Sequence, residues 1–259
     1  DPMATGLLPL CFGEATKFSA DLLNADKTYE AELRLGVTTR TGDAEGDVLE
    51  ERPVAVDEAA FAAVLPRFTG EQQQVPPMYS ALKKDGRPLY ELARQGIEVE
   101  RAARTITIHA LDLLSFTAPV ASIRVRCSKG TYIRTLAEDI GKALGCGAHL
   151  TALRRTGVAD LQLPRALTLA EIEACPEGER DALLLPVDAL LQGLPVVELD
   201  EGGRARFANG NPVPCPQAGL LGPCRVYAAR ALLGLGRADA DGRLHPQRLV
   251  ANCGARAEG

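Results

Sequence analysis

Alternation of polar and apolar residues is the feature that most constrains the fold of this 259-residue chain. In residues 27–36 apolar side chains occupy every second position, and mostly charged side chains stand between them. This two-residue period predicts a strand with one buried and one solvated face. Residues 104–116 and 120–127 are rich in β-branched residues and predict two further strands, the second with Arg124 and Arg126 on one face.

Helical patterns stand between and after these strands. Asp57 precedes an Ala-rich stretch that runs to Leu65 before Pro66, which predicts a capped helix. From Tyr132 onward apolar residues recur at helical spacing until two glycines end the pattern, and residues 149–158 predict a return strand. Because strands and helices mix without regular strand–helix–strand alternation, we predict an α+β fold with a mixed or antiparallel sheet core flanked by helices.

Composition changes twice in the second half of the chain, near residues 176–180 and near residues 193–195. Beyond these points the pattern becomes one of short strands and turns, which predicts a small β-rich C-terminal domain. The expected organisation is a large domain over residues 1–178, a linker with a connecting helix over 179–194, the small domain over 195–252 and a disordered tail over 253–259.

Composition excludes several classes of protein. No apolar run approaches the roughly 20 residues that a membrane helix needs, so no membrane association is expected. The seven cysteines are irregularly spaced, form no Cys-x-x-Cys, and accompany only three histidines, which predicts a cytoplasmic protein without a metal site. The net charge of −5 counts against a nucleic-acid partner, although a local basic stripe can outweigh the charge of the whole chain.

Four ordered segments carry a resemblance to a known family. They are residues 1–9, which begin Asp-Pro-Met-Ala-Thr-Gly, and residues 27–46, 74–90 and 129–141. Together they resemble the tRNA pseudouridine synthase B family, and the match extends over nearly the whole chain. In that family a His-Gly-x-Gly-x-Leu-type stretch precedes the first segment. Since this stretch is absent here, the chain is expected to be a fragment that lacks an N-terminal segment.

The resemblance implies a reaction, the isomerisation of uridine 55 in the tRNA T-loop to pseudouridine. This chemistry needs a carboxylate but no metal, redox change or other cofactor, so no cofactor is expected. Asp1 would be the nucleophile, and Arg134 the arginine that pairs with it, because an adjacent guanidinium keeps a carboxylate ionised. Tyr29 would stack on the flipped uracil. Without the resemblance, Asp1 would be a mere chain terminus, Tyr29 a core residue, and Arg134 a surface residue at a helix start, where the macrodipole would not favour it.

Further residues would bind the substrate. Tyr132 and Leu153 correspond to apolar residues around the base, although core packing explains both nearly as well. Base flipping costs a few kcal/mol, so the RNA must be held elsewhere, and the resemblance implies an RNA-gripping insertion at about residues 72–104 and a PUA-like RNA-binding C-terminal domain. The cations expected to hold phosphates are Lys83, Lys84, Arg87, Arg101, Arg104, Arg154 and Arg155. For at least some of these cations, the alternative role is that of solvated surface residues.

The acidic run at residues 43–47 invites a metal reading, but it lacks the spacing and closing Glu of an EF-hand. We therefore interpret it as a polar loop. The expected partner is the T-arm of tRNA, with no obligatory protein partner and a monomeric state. The alternatives are a non-catalytic tRNA-binding or tRNA-folding protein, a guide-RNA-dependent synthase subunit, and a glycosidase, which would require a second carboxylate.

Overall fold

The computed structural model describes residues 2–251, and these form two compact units. The first contains residues 2–8 and 24–166, and the second contains residues 9–23 and 167–251. The α-helices are Ser19–Asn24 (α1), Glu58–Val64 (α2), Leu89–Arg94 (α3), Ile133–Ala143 (α4), Leu169–Ala174 (α5) and Glu201–Ala208 (α6). The strands are Ala4–Gly6 (β1), Lys27–Leu35 (β2), Val37–Thr39 (β3), Val48–Glu51 (β4), Gly70–Gln74 (β5), Lys83–Lys84 (β6), Arg87–Pro88 (β7), Arg104–Thr117 (β8), Val120–Cys127 (β9), Ala148–Val158 (β10), Leu161–Gln162 (β11), Val196–Glu198 (β12), Val213–Pro214 (β13), Gly222–Ala228 (β14), Ala231–Ala238 (β15) and Arg243–Leu249 (β16).

The first unit is built on one seven-stranded sheet in the order β1-β10-β2-β9-β8-β5, with β11 also paired to β10. β1 runs parallel to β10, and the other neighbours are antiparallel. The α+β prediction is confirmed. The alternation in β2 has the expected result, since Ala31, Leu33 and Leu35 are buried while Arg34 is exposed. Asp57 caps α2 by accepting a hydrogen bond from the Ala60 amide at 2.8 Å.

Helix α4 packs against the sheet and directs its first turn toward the site described below. Its buried residues include Ile133, Leu136 and Ile140, which join the core formed by β2, β9 and β10. Gly141 permits the close approach, because a Cβ at that position would lie 2.2 Å from the backbone nitrogen of Ala148. The apolar spacing seen in the sequence therefore fixes which face of α4 meets the strands.

The expected RNA-gripping insertion begins at the end of β5. It contains the short hairpin of β6 and β7 followed by α3, and Met78, Leu89 and Leu92 form a small core of their own. The predicted cations Lys83, Lys84 and Arg87 lie exposed on this hairpin. Arg104, at the start of β8, is exposed as well.

The second unit contains a five-stranded sheet in the order β12-β14-β15-β16-β13, which confirms the small β-rich C-terminal domain. The stretch expected to include a connecting helix holds only the 3-10 turns Glu177–Leu183 and Ala189–Leu191, because Pro186 interrupts any longer helix. After this proline, buried Asp188 accepts hydrogen bonds from Arg225, at 2.7 Å, and from Tyr227. These bonds attach the segment to β14.

Two sequence expectations concern residues at the chain ends. Asp1, Cys253 and the tail over 253–259 lie outside the described residues.

Within residues 2–251, six cysteines are free thiols, and three of them, Cys127, Cys146 and Cys224, are buried. No helix in this part of the chain is long and apolar enough to cross a membrane.

Candidate active site

The chain immediately after Asp1 is held against the sheet. Ala4 lies opposite Leu153 and Gly6 opposite Arg155 in the parallel pairing of β1 with β10. The Leu7 amide donates to the Arg155 carbonyl at 2.8 Å, and Arg155 Nε donates to the Leu7 carbonyl at 2.7 Å. Gly6 has φ +94°, and a Cβ there would lie 2.3 Å from the Arg155 carbonyl oxygen. Glycine is therefore required where this segment meets β10.

Tyr29, Leu153 and Arg155 share one face of the sheet. Tyr29 pairs with Arg155 across β2 and β10, and Leu153 pairs with Ala31, two residues further along β2. Positions two apart on a strand point to the same side. Tyr29 is half-buried, and this burial, reinforced by the neighbouring Cys127, raises the pKa of its phenol. The Tyr29 hydroxyl therefore stays protonated at neutral pH.

Arg154 does not belong to this group. It is exposed and pairs with Glu30 on β2 and with Thr5 on β1, on the face of the sheet away from Tyr29 and Leu153. Glu30 on that face also binds Arg124 at 2.8 Å. Strand alternation thus points the two consecutive arginines, Arg154 and Arg155, to opposite faces of the sheet.

Arg134 is buried in the first turn of α4, with 8% of its surface exposed. Its Nη1 donates to the Thr41 carbonyl at 3.0 Å and to Asp43 Oδ2 at 3.1 Å, and its Nη2 donates to the Tyr79 carbonyl at 2.7 Å. The alternative of a surface arginine at a helix start is therefore wrong. The guanidinium is held by groups from two distant segments and has a fixed orientation.

One carboxylate that Arg134 binds, that of Asp43, was missed in the sequence. Asp43 is only 2% exposed, and its Oδ1 also accepts hydrogen bonds from the Glu45 amide and the Thr41 hydroxyl. The interpretation of residues 43–47 as a polar loop holds for exposed Glu45 and Asp47 but is wrong for Asp43. Its burial depends on an arginine 91 residues further along the chain, and no local pattern signals this contact.

Tyr132 is held by its backbone immediately before α4. The side-chain amide of Gln74 accepts from the Tyr132 amide at 2.8 Å and donates to the Tyr132 carbonyl at 3.1 Å. Gln74 is the last residue of β5 and is 5% exposed. The motif that begins at Gln74 thus contacts the motif that contains Tyr132 and, two residues later, Arg134.

A cavity of about 510 Å³ lies beside the Arg134 cluster. It is bordered by Thr41 and Tyr79, whose carbonyls bind Arg134, and by Glu138 one turn later on α4. Arg101 Nε and Thr135 Oγ1 are buried in this part of the molecule without a hydrogen-bond partner among the described residues. The other lining residues are Arg40, Val75, Pro76, Pro77, Met78, Ala93, Gly96, Ile97 and Glu98.

Glu138 gives the site a pH-dependent charge. Burial, together with the charge of Asp139, raises the pKa of Glu138 to about 7, although Arg134 opposes the change. Since the pKa of the folded state exceeds that of the unfolded chain, the stabilising contribution of protonated Glu138 is full at low pH and is lost as pH rises through about 7.

Replacing Glu138 by glutamine is therefore expected to raise the free energy of unfolding more at pH 8 than at pH 5. The difference should be on the order of 1–2 kcal/mol, because a pKa unit corresponds to about 1.4 kcal/mol and solvent screens part of it. Urea unfolding at the two pH values measures the effect, with Glu173→Gln on the exposed face of α5 as the control. An equal gain at both pH values would show that Glu138 titrates normally.

Three family domains match the chain in order. "TruB family pseudouridylate synthase (N terminal domain)" matches residues 1–133, "tRNA pseudouridylate synthase B C-terminal domain" matches 134–192, and "Pseudouridine synthase II TruB, C-terminal" matches 195–250. A relative from Dechloromonas aromatica, named tRNA pseudouridine synthase B, is 62% identical over 96% of this chain and 83% of its own length. A relative of the same name from Burkholderia mallei is 61% identical over 96% of this chain and 85% of its own length.

Solved structures of similar fold also match this chain. The structure described as "Crystal Structure of a Cbf5-Nop10-Gar1 Complex" contains a chain with a TM-score of 0.68 and 27% identity, over 92% of this chain and 67% of that one. A chain in "Structure of H/ACA RNP bound to a substrate RNA containing 2'-deoxyuridine" matches with a TM-score of 0.71 at 22% identity, over 97% and 74% of the two chains. The resemblance inferred from the four motifs is confirmed, and the chain belongs to the TruB family of pseudouridylate synthases.

Proposed function

We propose that this chain isomerises uridine 55 in the T-loop of tRNA to pseudouridine, with Asp1 as the nucleophile. The observation that carries the proposal is the arrangement of the motif residues around one face of one sheet. Tyr29 and Leu153 lie on neighbouring strands, and Arg134 lies on the helix that packs against these strands. The names of the close relatives support tRNA as the substrate.

The reaction exchanges one bond for another without a net change in atoms. The bond between N1 of uracil and C1′ of ribose breaks, the base rotates, and C5 joins C1′. The proton on C5 is then lost and N1 ends protonated. Asp1 would attack an electrophilic carbon or stabilise positive charge on the sugar, and Arg134 would keep that carboxylate ionised and oriented.

The other predicted residues divide between the base and the RNA backbone. Tyr29 and Tyr132 would contact the flipped uracil, and Leu153 would pack beside it. Lys83, Lys84 and Arg87, exposed on the hairpin of β6 and β7, would hold phosphates and thereby set the register of the T-arm. This function would be carried out in the cytoplasm by a monomer, without an obligatory protein partner.

Tritium release from tRNA carrying 5-tritiated uridine tests the substrate directly, since only replacement at C5 releases the label. We expect release equivalent to a single uridine per tRNA, and none from tRNA with cytidine in place of uridine 55. Equal release from both substrates would contradict the proposed position. Binding of tRNA without any release would instead assign the chain to the non-catalytic alternative.

A further inference from the structure

The side chain of Gln74 contacts the backbone of the site at Tyr132. Its side-chain amide bonds both to the N–H and to the C=O of Tyr132, at 2.8 and 3.1 Å. The two bonds resemble those by which one strand residue binds another, but a side chain supplies them here. The buried position of Gln74 protects both bonds from competition with water.

The bonds act where the backbone changes conformation. Tyr132 is extended, with φ −98° and ψ 111°, and serves as the N-cap of α4 without a side-chain capping bond. Its carbonyl also accepts from the Leu136 amide at 3.1 Å, so the same peptide group begins the helix. Holding this group in place determines where α4 begins and in which direction the residues of its first turn project.

The segment that begins with Gln74 contacts the site a second time. Five residues later the carbonyl of Tyr79 accepts from Arg134 at 2.7 Å. Tyr132 and Arg134 are thus each bound by one end of the stretch from Gln74 to Tyr79. A shift of the Tyr132 peptide would move the Arg134 guanidinium relative to both Tyr79 and Asp43.

We propose that Gln74 is a positioning residue for the isomerisation, acting through the backbone of Tyr132 to place the Tyr132 ring and the Arg134 guanidinium. The inference rests on the proposed function. It assigns Gln74 no contact with the substrate. Its loss should therefore lower the rate of the chemical step and leave tRNA affinity nearly unchanged, because the candidate phosphate-binding cations lie elsewhere.

Gln74→Met, which keeps the length of the side chain but removes both polar groups, tests this. We expect single-turnover pseudouridine formation to fall by roughly 10- to 100-fold, since displacement of a catalytic group by a fraction of an ångström has effects of this size. The tRNA dissociation constant should change by less than about threefold. Gln73→Met is the matched control. Gln73 is the preceding residue of β5, is exposed, and within residues 2–251 its side chain bonds only to Thr105.

Gln74→Glu supplies a readout that a purely structural role would not produce. The carboxylate accepts from the Tyr132 amide but repels the Tyr132 carbonyl, whereas the protonated acid can serve both groups. The rate of the variant relative to wild type should therefore rise as pH falls from 8.5 to 6, at a temperature where both proteins are fully folded. Gln73→Glu should show a constant ratio over this range.

Hydrogen exchange of the amides of Tyr132 and Leu136 reports on the contact independently of activity. Exchange should accelerate in Gln74→Met and stay unchanged in Gln73→Met. If the wild type is active and Gln74→Met forms pseudouridine at the same rate, or shows unaltered exchange at these amides, the inference is overturned but the proposed function is not. A wild-type chain that binds tRNA yet forms no pseudouridine overturns the proposed function and this inference with it.

Discussion

Replacing Asp1 by asparagine is expected to abolish tritium release from tRNA, with a fall in rate on the order of 10³-fold or more, the range found when a nucleophile is removed. Asparagine has nearly the same shape but carries no negative charge. It therefore cannot attack an electrophilic carbon or stabilise positive charge on the sugar. Binding of tRNA should be retained, because the affinity of RNA-binding proteins comes mainly from cations facing phosphates, and Asp1 is not a cation.

The matched control is Asp160→Asn, since Asp160 is exposed in the turn before β11 and makes the same change of charge. Its rate and its tRNA affinity should equal those of the wild type. A comparison of single-turnover rates with filter-binding affinities separates chemistry from binding. Full activity in Asp1→Asn would remove Asp1 from the mechanism and direct attention to Asp43, the buried carboxylate of the described site.

Periodic patterns in the sequence predicted most of the elements that carry the site. The alternation in β2 depends on which face of a strand is buried, and the spacing in α4 depends on which face of a helix is buried. Both are local properties that recur every two or every three to four residues, so β2 and α4 appear near their predicted bounds. The same periodicity, applied to β10, separates Arg154 from Arg155.

The polar contacts of the site carry no such period. Asp43 and Gln74 are single polar residues at the end of a turn and at the end of a strand, positions at which polar residues are common. What distinguishes them is a partner 91 residues away for Asp43 and 58 residues away for Gln74. Only the packing of α4 against the sheet creates these partners, and for this reason the sequence indicated Arg134 but not the groups that hold it.

Removing the carboxylate of Asp43 is expected to lower the rate of pseudouridine formation by roughly 10²- to 10³-fold. Removing one partner of a buried ion pair costs about 3–5 kcal/mol, and part of this cost should appear as displacement of Arg134 in the site. Asp43→Asn should be milder than Asp43→Ala, because the single amide oxygen of asparagine can still accept either from Arg134 or from the Glu45 amide, whereas alanine accepts from neither.

Three comparisons make the assignment to the ion pair specific. Asp47 lies in the same loop, with 87% of its side chain exposed and a contact of 3.8 Å to Arg40. Asp47→Asn should therefore retain both the wild-type rate and the wild-type stability. Arg134→Lys should lose activity despite its charge, because a single ammonium cannot reproduce the planar fork that bonds to Thr41, Asp43 and Tyr79. The double variant Asp43→Asn/Arg134→Lys should fall little below the worse single variant if the two residues act as a unit. Rates are to be compared at a temperature at which circular dichroism shows every variant folded. A wild-type rate in Asp43→Asn would show that Arg134 does not need the charge of Asp43.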